Sequence, residues 1–489
     1  MNIHVLGAAG GVTGSAYHVR TRSASVLIDF GLFQGHRALE RHNRVPARLP
    51  VQQLGAVVLT HGHLDHTGRL PLLAKAGYRG PVYATPASIA VTRLILEDTA
   101  RLQASDAERE SRHHLAFPSE GNAPSGGRRA GRPPVEPLFT PGDVRRLEPL
   151  FRPIEYGEPR EVAPGVRVRL TDAGHILGSA SVELTAKEGN SERVVVFSGD
   201  LGPRGAALHR DPVPFGRADL VFLESTYGDR DHRPPAETVK ELERIVVAAT
   251  RVGADGQGSG KILIPVFAVG RAQQILYHLA GMFQHNVVPR FPVYLDSPMA
   301  VAATEIYLRN SDLLDAEALA LVKSGLLAEG LKTLRAVTTA EESRALNDAP
   351  GPCAILAGSG MCTGGRILHH LRHNLWKPET AVLFVGYQAE GTLGRRLVDG
   401  AKTVRIFGEP VAVRASVYTL GGFSGHAGQS ELLEWLAAVA PRAARGRARP
   451  RVVLTHGEER GRRPLGELIR KRFGLPVEHP RLGDTITLG

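Results

Sequence analysis

The run His61-Gly62-His63-Leu64-Asp65-His66 places three imidazoles and one carboxylate within six residues, directly after the apolar segment 56–59. Neutral imidazole and carboxylate are the ligands that a borderline-soft divalent ion such as zinc prefers. The apolar segment predicts a buried strand, and a loop beyond a rigid strand end is where metal ligands are typically mounted. A solvated loop that happens to be rich in histidine is the alternative, but ligand types, order and context favour a metal site. The pattern therefore indicates a metallohydrolase.

Composition narrows the class of protein further. The 489 residues suffice for two domains, each with its own core, and 42% hydrophobic residues are ordinary for a globular protein. A formal net charge of +11 would attract a polyanion such as nucleic acid. Two cysteines, Cys353 and Cys362, exclude a disulfide framework and favour a reducing cytoplasm. Neither a signal-peptide pattern nor an apolar run of membrane-spanning length occurs, so we expect a cytoplasmic protein that does not bind membranes.

The pattern of apolar segments changes twice along the chain. Short strands are predicted in the first part, and helices at 69–76 and 86–102. The glycine-rich segment 7–14 resembles a dinucleotide-binding loop, but a strand rather than a helix follows it, so we expect no nucleotide cofactor. Beyond residue 212 strands and helices alternate, which favours a mostly parallel sheet covered by helices. Short strands, among them 411–420, return from about residue 395.

The simplest organisation is one domain built from both chain ends, 1–212 and 395–489, with a second domain, 213–394, inserted between them. The basic, low-complexity segment 119–134 is predicted to be a surface loop rather than a dedicated RNA contact.

Four further residues occur in the same sequence pattern as the first motif, because each follows a predicted apolar strand and has glycine or serine beside it. They are His175, Asp200, Glu224 and His456. Any one of them alone could be a cap or a turn residue. Together they indicate a set of ligands or catalytic groups collected at strand ends.

The chain here resembles a known family. The His-x-His-x-Asp-His run, with His175, Asp200, His456 and an early Asp29, is similar to the metallo-β-lactamase fold. Glu224 in Leu-Glu-Ser-Thr-Tyr-Gly and His426 in Phe-Ser-Gly-His-Ala-Gly are similar to the additional motifs of its β-CASP nucleases. The motifs span nearly the whole chain in the expected order, and they most resemble the bacterial and archaeal cleavage-and-polyadenylation-factor-like ribonucleases. The resemblance implies an α/β fold: an αββα sandwich built from both chain ends, with an inserted α/β β-CASP domain.

The resemblance also implies two Zn²⁺ ions per chain. The first would be held by His61, His63, His175 and Asp200. The second would be held by Asp65, His66, Asp200 and His456, so that Asp200 bridges the two ions. Two such ions acidify a shared water and hold the oxygens of the phosphate under attack.

Four residues are assigned catalytic roles by the same resemblance. Asp65 belongs to the catalytic group as well as to the ligands. His426 is the general acid for the leaving 3′-oxygen, Glu224 orients that imidazole and stabilises its charged form, and Asp29 holds a ligand loop from outside the ligand set.

The inserted domain contributes a candidate phosphate site. The segment 358–366 joins a strand to a helix, and the backbone amides of such a turn suit a phosphate. The candidate contacts to RNA or phosphate are Ser359, Thr363, Gly364, Gly365 and Arg366. An ordinary tight turn is the alternative.

The leading interpretation is thus a zinc-dependent ribonuclease acting on single-stranded RNA. A DNA nuclease of the same superfamily is the nearest alternative, although the resemblance implies that its last histidine motif would carry an aliphatic residue in place of His456. Small-molecule hydrolases lack the inserted domain, and a non-catalytic RNA-binding subunit would have a degraded ligand set. Endonuclease and 5′-exonuclease action both stay open, as does a homodimer.

Overall fold

The computed structural model describes residues 1–35, 37–116, 136–250, 260–439 and 449–489. The basic segment 119–134 lies outside the described residues. Two compact units make up the chain. The first comprises Met1–Arg169, Leu184–Val194 and His479–Gly489, and the second comprises Leu170–Glu183 and Val195–Glu478. Within the described part of the chain, the helices are too short or too polar to span a lipid bilayer.

The strands are β1 Asn2–Val5, β2 Tyr17–Arg20, β3 Ser25–Ile28, β4 Ala56–Val58, β5 Val82–Ala84, β6 Phe151–Pro153, β7 Arg160–Ala163, β8 Val166–Asp172, β9 Ala180–Glu188, β10 Ser191–Phe197, β11 Leu220–Glu224, β12 Lys261–Pro265, β13 Val293–Asp296, β14 Leu334–Ala336, β15 Cys353–Ala357, β16 Ala381–Phe384, β17 Thr403–Ile406, β18 Glu409–Ala412, β19 Ser416–Thr419, β20 Arg451–Thr455, β21 Val477–Glu478 and β22 Thr485–Thr487.

The helices are α1 Arg37–Glu40, α2 Leu64–Thr67, α3 Leu70–Lys75, α4 Pro86–Ala116, α5 Pro141–Arg145, α6 Pro235–Thr250, α7 Arg271–Gln284, α8 Pro298–Arg309, α9 Ala316–Lys323, α10 Leu326–Gly330, α11 Ala340–Ala345, α12 Arg366–Asn374, α13 Leu393–Val398, α14 Gln429–Val439 and α15 Glu459–Phe473. The helix expected at 86–102 runs on to Ala116.

The first sheet contains both ends of the chain. Its strand order is β22-β1-β2-β3-β4-β5-β6, and the final strand pairs antiparallel with the first, Ile486 opposite Ile3. From β3 to β6 the pairing is parallel, and β4 lies between β3 and β5 with all three of its residues buried. This arrangement agrees with a domain assembled from both chain ends. The His61–His66 run follows the carboxyl end of β4.

The second sheet has the order β21-β20-β11-β10-β9-β8-β7. Its strands β10, β11 and β20 are parallel neighbours, with Glu224 opposite Thr455. Because parallel strands present their carboxyl ends at one edge of a sheet, the residues that follow them come together. Asp200, Glu224 and His456 stand at this edge.

The third sheet is wholly parallel, in the order β14-β13-β15-β12-β16-β19. Alternate residues of its strands face two different cores. Ile262 and Leu356 pack with helix α7 on one face, whereas Leu263 and Ile355 pack with helix α12 on the other. A parallel sheet with helices on both faces was predicted for this part of the chain, and the structure confirms it.

The limits of the inserted domain at 213 and 394 stay a prediction, and the sheet topology adds detail around them. Strand β11 belongs to the second sheet, and β19 pairs with β16 in the third. The single strand expected at 411–420 is two strands, β18 and β19, in different sheets. Short apolar strands look alike in sequence whichever sheet they join, because the partner strand lies far away in the chain.

Candidate active site

Three histidines of the first unit converge on the loop between β4 and α2. His61 Nε2 lies 3.1 Å from His63 Nδ1, and the rings of His61 and His66 are 4.1 Å apart. Two nitrogens bound to one tetrahedral zinc ion lie roughly 3.3 Å apart, given Zn–N distances of about 2.0–2.1 Å. His61 and His63 therefore have the spacing of two ligands to one cation. Asp65 lies in the first turn of α2, half-buried beside the buried His66.

Asp29 orients His66. Its Oδ2 lies 2.7 Å from His66 Nδ1, and its two oxygens accept hydrogen bonds from the amide and the hydroxyl of Thr60 at 2.8 Å each. Since the carboxylate accepts, His66 Nδ1 carries the proton and Nε2 is the ligand atom of the neutral ring. This is the common arrangement behind a metal-binding histidine. The role that the resemblance implied for Asp29 outside the ligand set stays a prediction.

Asp200 lies between two imidazoles of the second unit. Its Oδ2 is 3.7 Å from His175 Nε2, and its Oδ1 is 3.5 Å from His456 Nδ1. His175 Nδ1 donates to the carbonyl oxygen of Gly425 at 2.6 Å, which leaves Nε2 as the ligand atom facing Asp200. The three side chains are almost fully buried. A buried carboxylate with a different imidazole at each oxygen suits a bridging ligand.

His426 is paired with a buried carboxylate. Its Nδ1 lies 3.1 Å from Glu224 Oε1, and its Nε2 lies 4.0 Å from Asp200 Oδ2. Glu224 is 1% exposed and accepts a further hydrogen bond from the amide of Leu201 at 2.7 Å. The ligand atoms of Glu224, His426 and His456 lie within 4.8 Å of one another. An imidazole held by a carboxylate on one nitrogen and directed at the site with the other is suited to proton transfer.

Two of these residues have backbones in the left-handed region, which side-chain-bearing residues rarely adopt. Asp29 has φ 56° and His456 has φ 47°. Such conformations cost about 1–3 kcal/mol each and concentrate at functional sites, where the surrounding structure enforces them.

The loop that carries His426 is tied to the loop after β11. His232 Nε2 donates to the carbonyl oxygen of His426 at 2.9 Å, and Asp231 accepts from the amide and hydroxyl of Ser430 at 2.7 Å each. Tyr227 forms a β-bridge with Gly428. Burial lowers the pKa of His232, and the hydrogen bond to the carbonyl of His426 opposes this shift without cancelling it. Residues 227–232 therefore fix the position of His426.

Arg271 lies beneath the same loop. A Cβ atom on Gly425 would lie 2.4 Å from Arg271 Nη2 and 3.1 Å from His175 Cε1, so a larger residue there would displace the Arg271 side chain. The guanidinium donates to Gln274, and burial lowers the pKa of Arg271 to about 10. Sequence reasoning missed Arg271 and His232. An arginine directly after Gly270 at the start of a buried helix was the available signal.

Comparisons with known proteins identify the family. Family models match residues 9–247 (metallo-β-lactamase superfamily), 272–397 (β-CASP domain) and 410–480 (zinc-dependent metallo-hydrolase RNA specificity domain). The chain is 43% identical to Ribonuclease TTHA0252 of Thermus thermophilus over 487 residues, which cover 99% of this chain and 100% of that protein. The chain is a β-CASP member of the metallo-β-lactamase superfamily.

The relatives of this β-CASP chain include archaeal transcription termination factors. It is 31% identical to the transcription termination factor FttA of Methanocaldococcus jannaschii over 499 residues, covering 99% of this chain and 71% of that protein. Among solved structures, a protein of unknown function from Enterococcus faecalis V583 matches with a TM-score of 0.52 at 13% identity, covering 100% of this chain and 99% of that one. That likeness bears on the fold alone.

In the predicted phosphate loop, 358–366, several hydrogen-bonding groups are already paired with other groups of the same loop. The amides of Thr363 and Gly364 donate to Ser359 Oγ at 3.0 Å and 3.3 Å. Gly365, with φ 78°, caps helix α12. A phosphate at Thr363 or Gly364 would have to displace the Ser359 hydroxyl from these amides.

Arg366 is also engaged inside the protein. Its guanidinium donates to Asp296 Oδ1 at 2.7 Å and to the carbonyl oxygens of residues 337 and 338. Asp296 is fully buried and accepts further hydrogen bonds from Ser343 and His370 at 2.6 Å each. Arg366 therefore ties the end of strand β13 to the residues after β14. Its predicted contact with RNA stays a prediction.

Proposed function

We propose that this chain is a zinc-dependent ribonuclease that hydrolyses phosphodiester bonds of single-stranded RNA. The observation that carries the proposal is the Glu224–His426 pair, whose imidazole Nε2 lies 4.0 Å from the metal-type ligand Asp200. A proton donor beside a metal-binding carboxylate is what cleavage of a phosphodiester with a poor alkoxide leaving group requires. Cytoplasmic location and a homodimer belong to the same proposal.

The residues fit the implied metal by their chemistry. We assign His61, His63, His175 and Asp200 to one zinc ion and Asp65, His66, Asp200 and His456 to the other, as the resemblance implies. The ligand chemistry supports this assignment, because imidazole and carboxylate are typical zinc ligands. In each unit one histidine also donates from Nδ1 to an oxygen, His66 in the first and His175 in the second, so that its Nε2 atom can bind a metal ion. When bound, the ions supply Lewis acidity and a water of lowered pKa.

The chain's own groups then have separate tasks. His426 donates a proton from Nε2 to the departing 3′-oxygen, and Glu224 holds the ring through Nδ1. Asp29 keeps His66 in one tautomer and orientation. The loop 227–232 holds His426 in a fixed position, so that its imidazole is already oriented for proton transfer when the substrate binds.

The alternatives are less well supported. The chain matches β-CASP and RNA specificity models, whereas the resemblance implies that small-molecule hydrolases of this fold lack the inserted domain. The relative that is 43% identical over its whole length is named a ribonuclease, which favours RNA over DNA as the substrate. The retained His426, His456 and Asp200 argue against a non-catalytic subunit.

One digestion experiment tests the proposal. A single-stranded RNA labelled at either end, with a monophosphate or triphosphate 5′ terminus, is incubated with the zinc-loaded protein, alongside the matching DNA and a chromogenic lactam. We expect cleavage of RNA alone, abolished by a chelator and restored by zinc. Internal products from both RNAs would indicate an endonuclease, whereas single nucleotides from the monophosphate RNA would indicate a 5′-exonuclease. Turnover of DNA or lactam in preference to RNA would refute the proposal.

A further inference from the structure

Phe267 is an exposed aromatic side chain held at the carboxyl edge of the third sheet. It follows strand β12, and the residue is 42% exposed. A Cβ atom on Gly360 would lie 2.8 Å from Phe267 Cδ2, and one on Gly386 would lie 3.7 Å from Cε2. The ring thus rests on the loops that follow the two neighbouring strands, β15 and β16. Parallel α/β sheets bind ligands at this edge.

The support beneath the ring is rigid. Gln388 Nε2 donates to the carbonyl oxygens of Gly360 at 3.0 Å and Gly386 at 3.1 Å, so one side chain ties both loops together. Gln388 is buried, and Gly394 packs against its Oε1 atom. A ring that is fixed before a ligand arrives loses little conformational entropy on binding.

A series of aromatic rings and arginines connects this place with His426. Tyr387, the residue after Gly386, receives a hydrogen bond on its hydroxyl from Arg460, whose guanidinium lies 5.5 Å from the ring centroid. The Tyr387 ring stands perpendicular to Tyr227 at 6.4 Å, and Tyr227 is 6.4 Å from His426.

The arginines along this series reach solvent. The guanidinium of Arg230 lies 5.1 Å from the Tyr227 ring, and the side chains of Arg460 and Arg230 are 50% and 48% exposed. Aromatic faces flanked by such cations are typical of grooves that bind single-stranded nucleic acid.

We propose that Phe267 is a stacking platform for an unpaired base of bound RNA, with Tyr387 as the neighbouring contact on the side of His426. The proposal rests on the ribonuclease function proposed above and adds to it a base-binding subsite, outside the metal ligands. The contact is with a base face, which every nucleotide offers, so the subsite selects unpaired RNA without selecting a sequence. RNA in a duplex has its base faces covered and cannot use it.

Binding measurements test the platform. Association of a short, fluorescein-labelled single-stranded RNA is followed by stopped-flow anisotropy before cleavage sets in. Phe267→Ala should weaken binding by about 5- to 150-fold, whereas Phe267→Tyr should keep most of the affinity because its ring still stacks. Phe267→Leu keeps apolar volume without a π face and should resemble Phe267→Ala. Phe407→Ala is the matched control, because Phe407 is 52% exposed on the turn between β17 and β18.

An abasic scan locates the stacked base. RNAs that lack one base at successive positions are bound to wild type and to Phe267→Ala. At the position that stacks on Phe267, loss of the base should weaken binding to wild type and have little further effect on the variant. A scan with the same profile in both proteins, or Phe267→Ala binding no worse than Phe407→Ala, would overturn the platform. Equal weakening toward duplex RNA would overturn it too.

Cleavage separates this inference from the proposal on which it rests. Phe267→Ala should raise KM for RNA with little change in kcat, because the ring is not among the proton donors. If wild type cleaves RNA and the binding results are negative, the platform alone fails. If no RNA is cleaved although the selective loss of binding is found, the ribonuclease proposal fails and the platform stands.

Discussion

The imidazole of His232 donates from Nε2 to the carbonyl oxygen of His426 across 2.9 Å. A carbonyl oxygen only accepts, so the proton of His232 is fixed on Nε2. The bond joins two loops that lie 194 residues apart in the chain. It holds the backbone of His426 while Glu224 holds its ring, so that both ends of the residue are fixed.

This relationship predicts that His232 acts as a positioning residue. His232→Ala should lower kcat by about 5- to 10-fold, the value of one hydrogen bond, with KM and zinc content unchanged. His232→Gln, which keeps a donor, should recover much of the rate. An RNA with sulfur in place of the scissile 3′-oxygen needs little protonation and should be cleaved almost equally by wild type and His232→Ala. His285→Ala, at an exposed helix end, is the control. An equal defect on both substrates would contradict a role through His426.

Metal content provides a second prediction. The purified protein should hold about two zinc ions per chain, and Asp200→Ala should lose most of the metal, because its two oxygens face different imidazoles. Elemental analysis measures both values. Asp106→Ala, an exposed carboxylate on α4, should keep the metal. Full metal content in Asp200→Ala would show that this residue is not a shared ligand.

The functions of His426 and His456 should be separable. His426→Ala should keep its zinc and cleave RNA about 10²–10⁴-fold more slowly if it donates the proton. Glu224→Gln should show a milder form of the same defect. His456→Ala should instead lose metal. The 3′-sulfur RNA should restore cleavage by His426→Ala and leave His456→Ala inactive; equal restoration of both, or of neither, would exclude His426 as the proton donor.

Arg366 should matter for stability more than for RNA binding. Arg366→Gln removes the charged partner of Asp296 and should reduce the free energy of unfolding by about 2–3 kcal/mol. This is less than for a fully buried pair, because the Arg366 side chain is 25% exposed. Arg372→Gln, on the same helix in an exposed pair with Glu409, should cost about 0–1 kcal/mol. Urea unfolding compares them. A stable Arg366→Gln protein with weakened RNA binding would restore the sequence-based role of Arg366.

The hydrogen bonds of Asp296 also predict that the stability of the protein depends on pH. Burial acts to raise the pKa of Asp296, but hydrogen bonds from His370, Ser343 and Arg366 outweigh it, and the pKa is lowered. A carboxyl with a lowered folded pKa stabilises the protein above its unfolded pKa of about 4, and this contribution is lost as pH falls through the folded value. Asp296→Asn cannot titrate. The stability gap between wild type and Asp296→Asn should therefore shrink below about pH 4; a gap that widens there would contradict the assignment.

RNA affinity should fall as salt rises. With a formal net charge of +11, binding to phosphates releases counterions, and the logarithm of the association constant should decrease linearly with the logarithm of salt concentration. Anisotropy titrations at several salt concentrations measure the slope. An affinity that does not change with salt would contradict binding along a phosphate backbone.

The sequence by itself determined the chemical types at the site and the class of fold. Ligand-type residues directly after apolar strands could be recognised because strand and loop are local patterns, and His61, Asp200, Glu224 and His456 all stand at strand ends in the structure. The alternation of strands and helices likewise sufficed to predict the parallel third sheet.

Only the tertiary structure decided how those residues are held and which strand joins which sheet. The proton positions on His66, His175 and His232 depend on oxygen acceptors that are 37, 250 and 194 residues away. Arg366 binds a buried carboxylate 70 residues away, an internal contact that the linear sequence does not reveal. Hydrogen bonds and strand pairing act between groups that folding brings together. The linear sequence identifies each of these groups, but it does not show which partner each one meets.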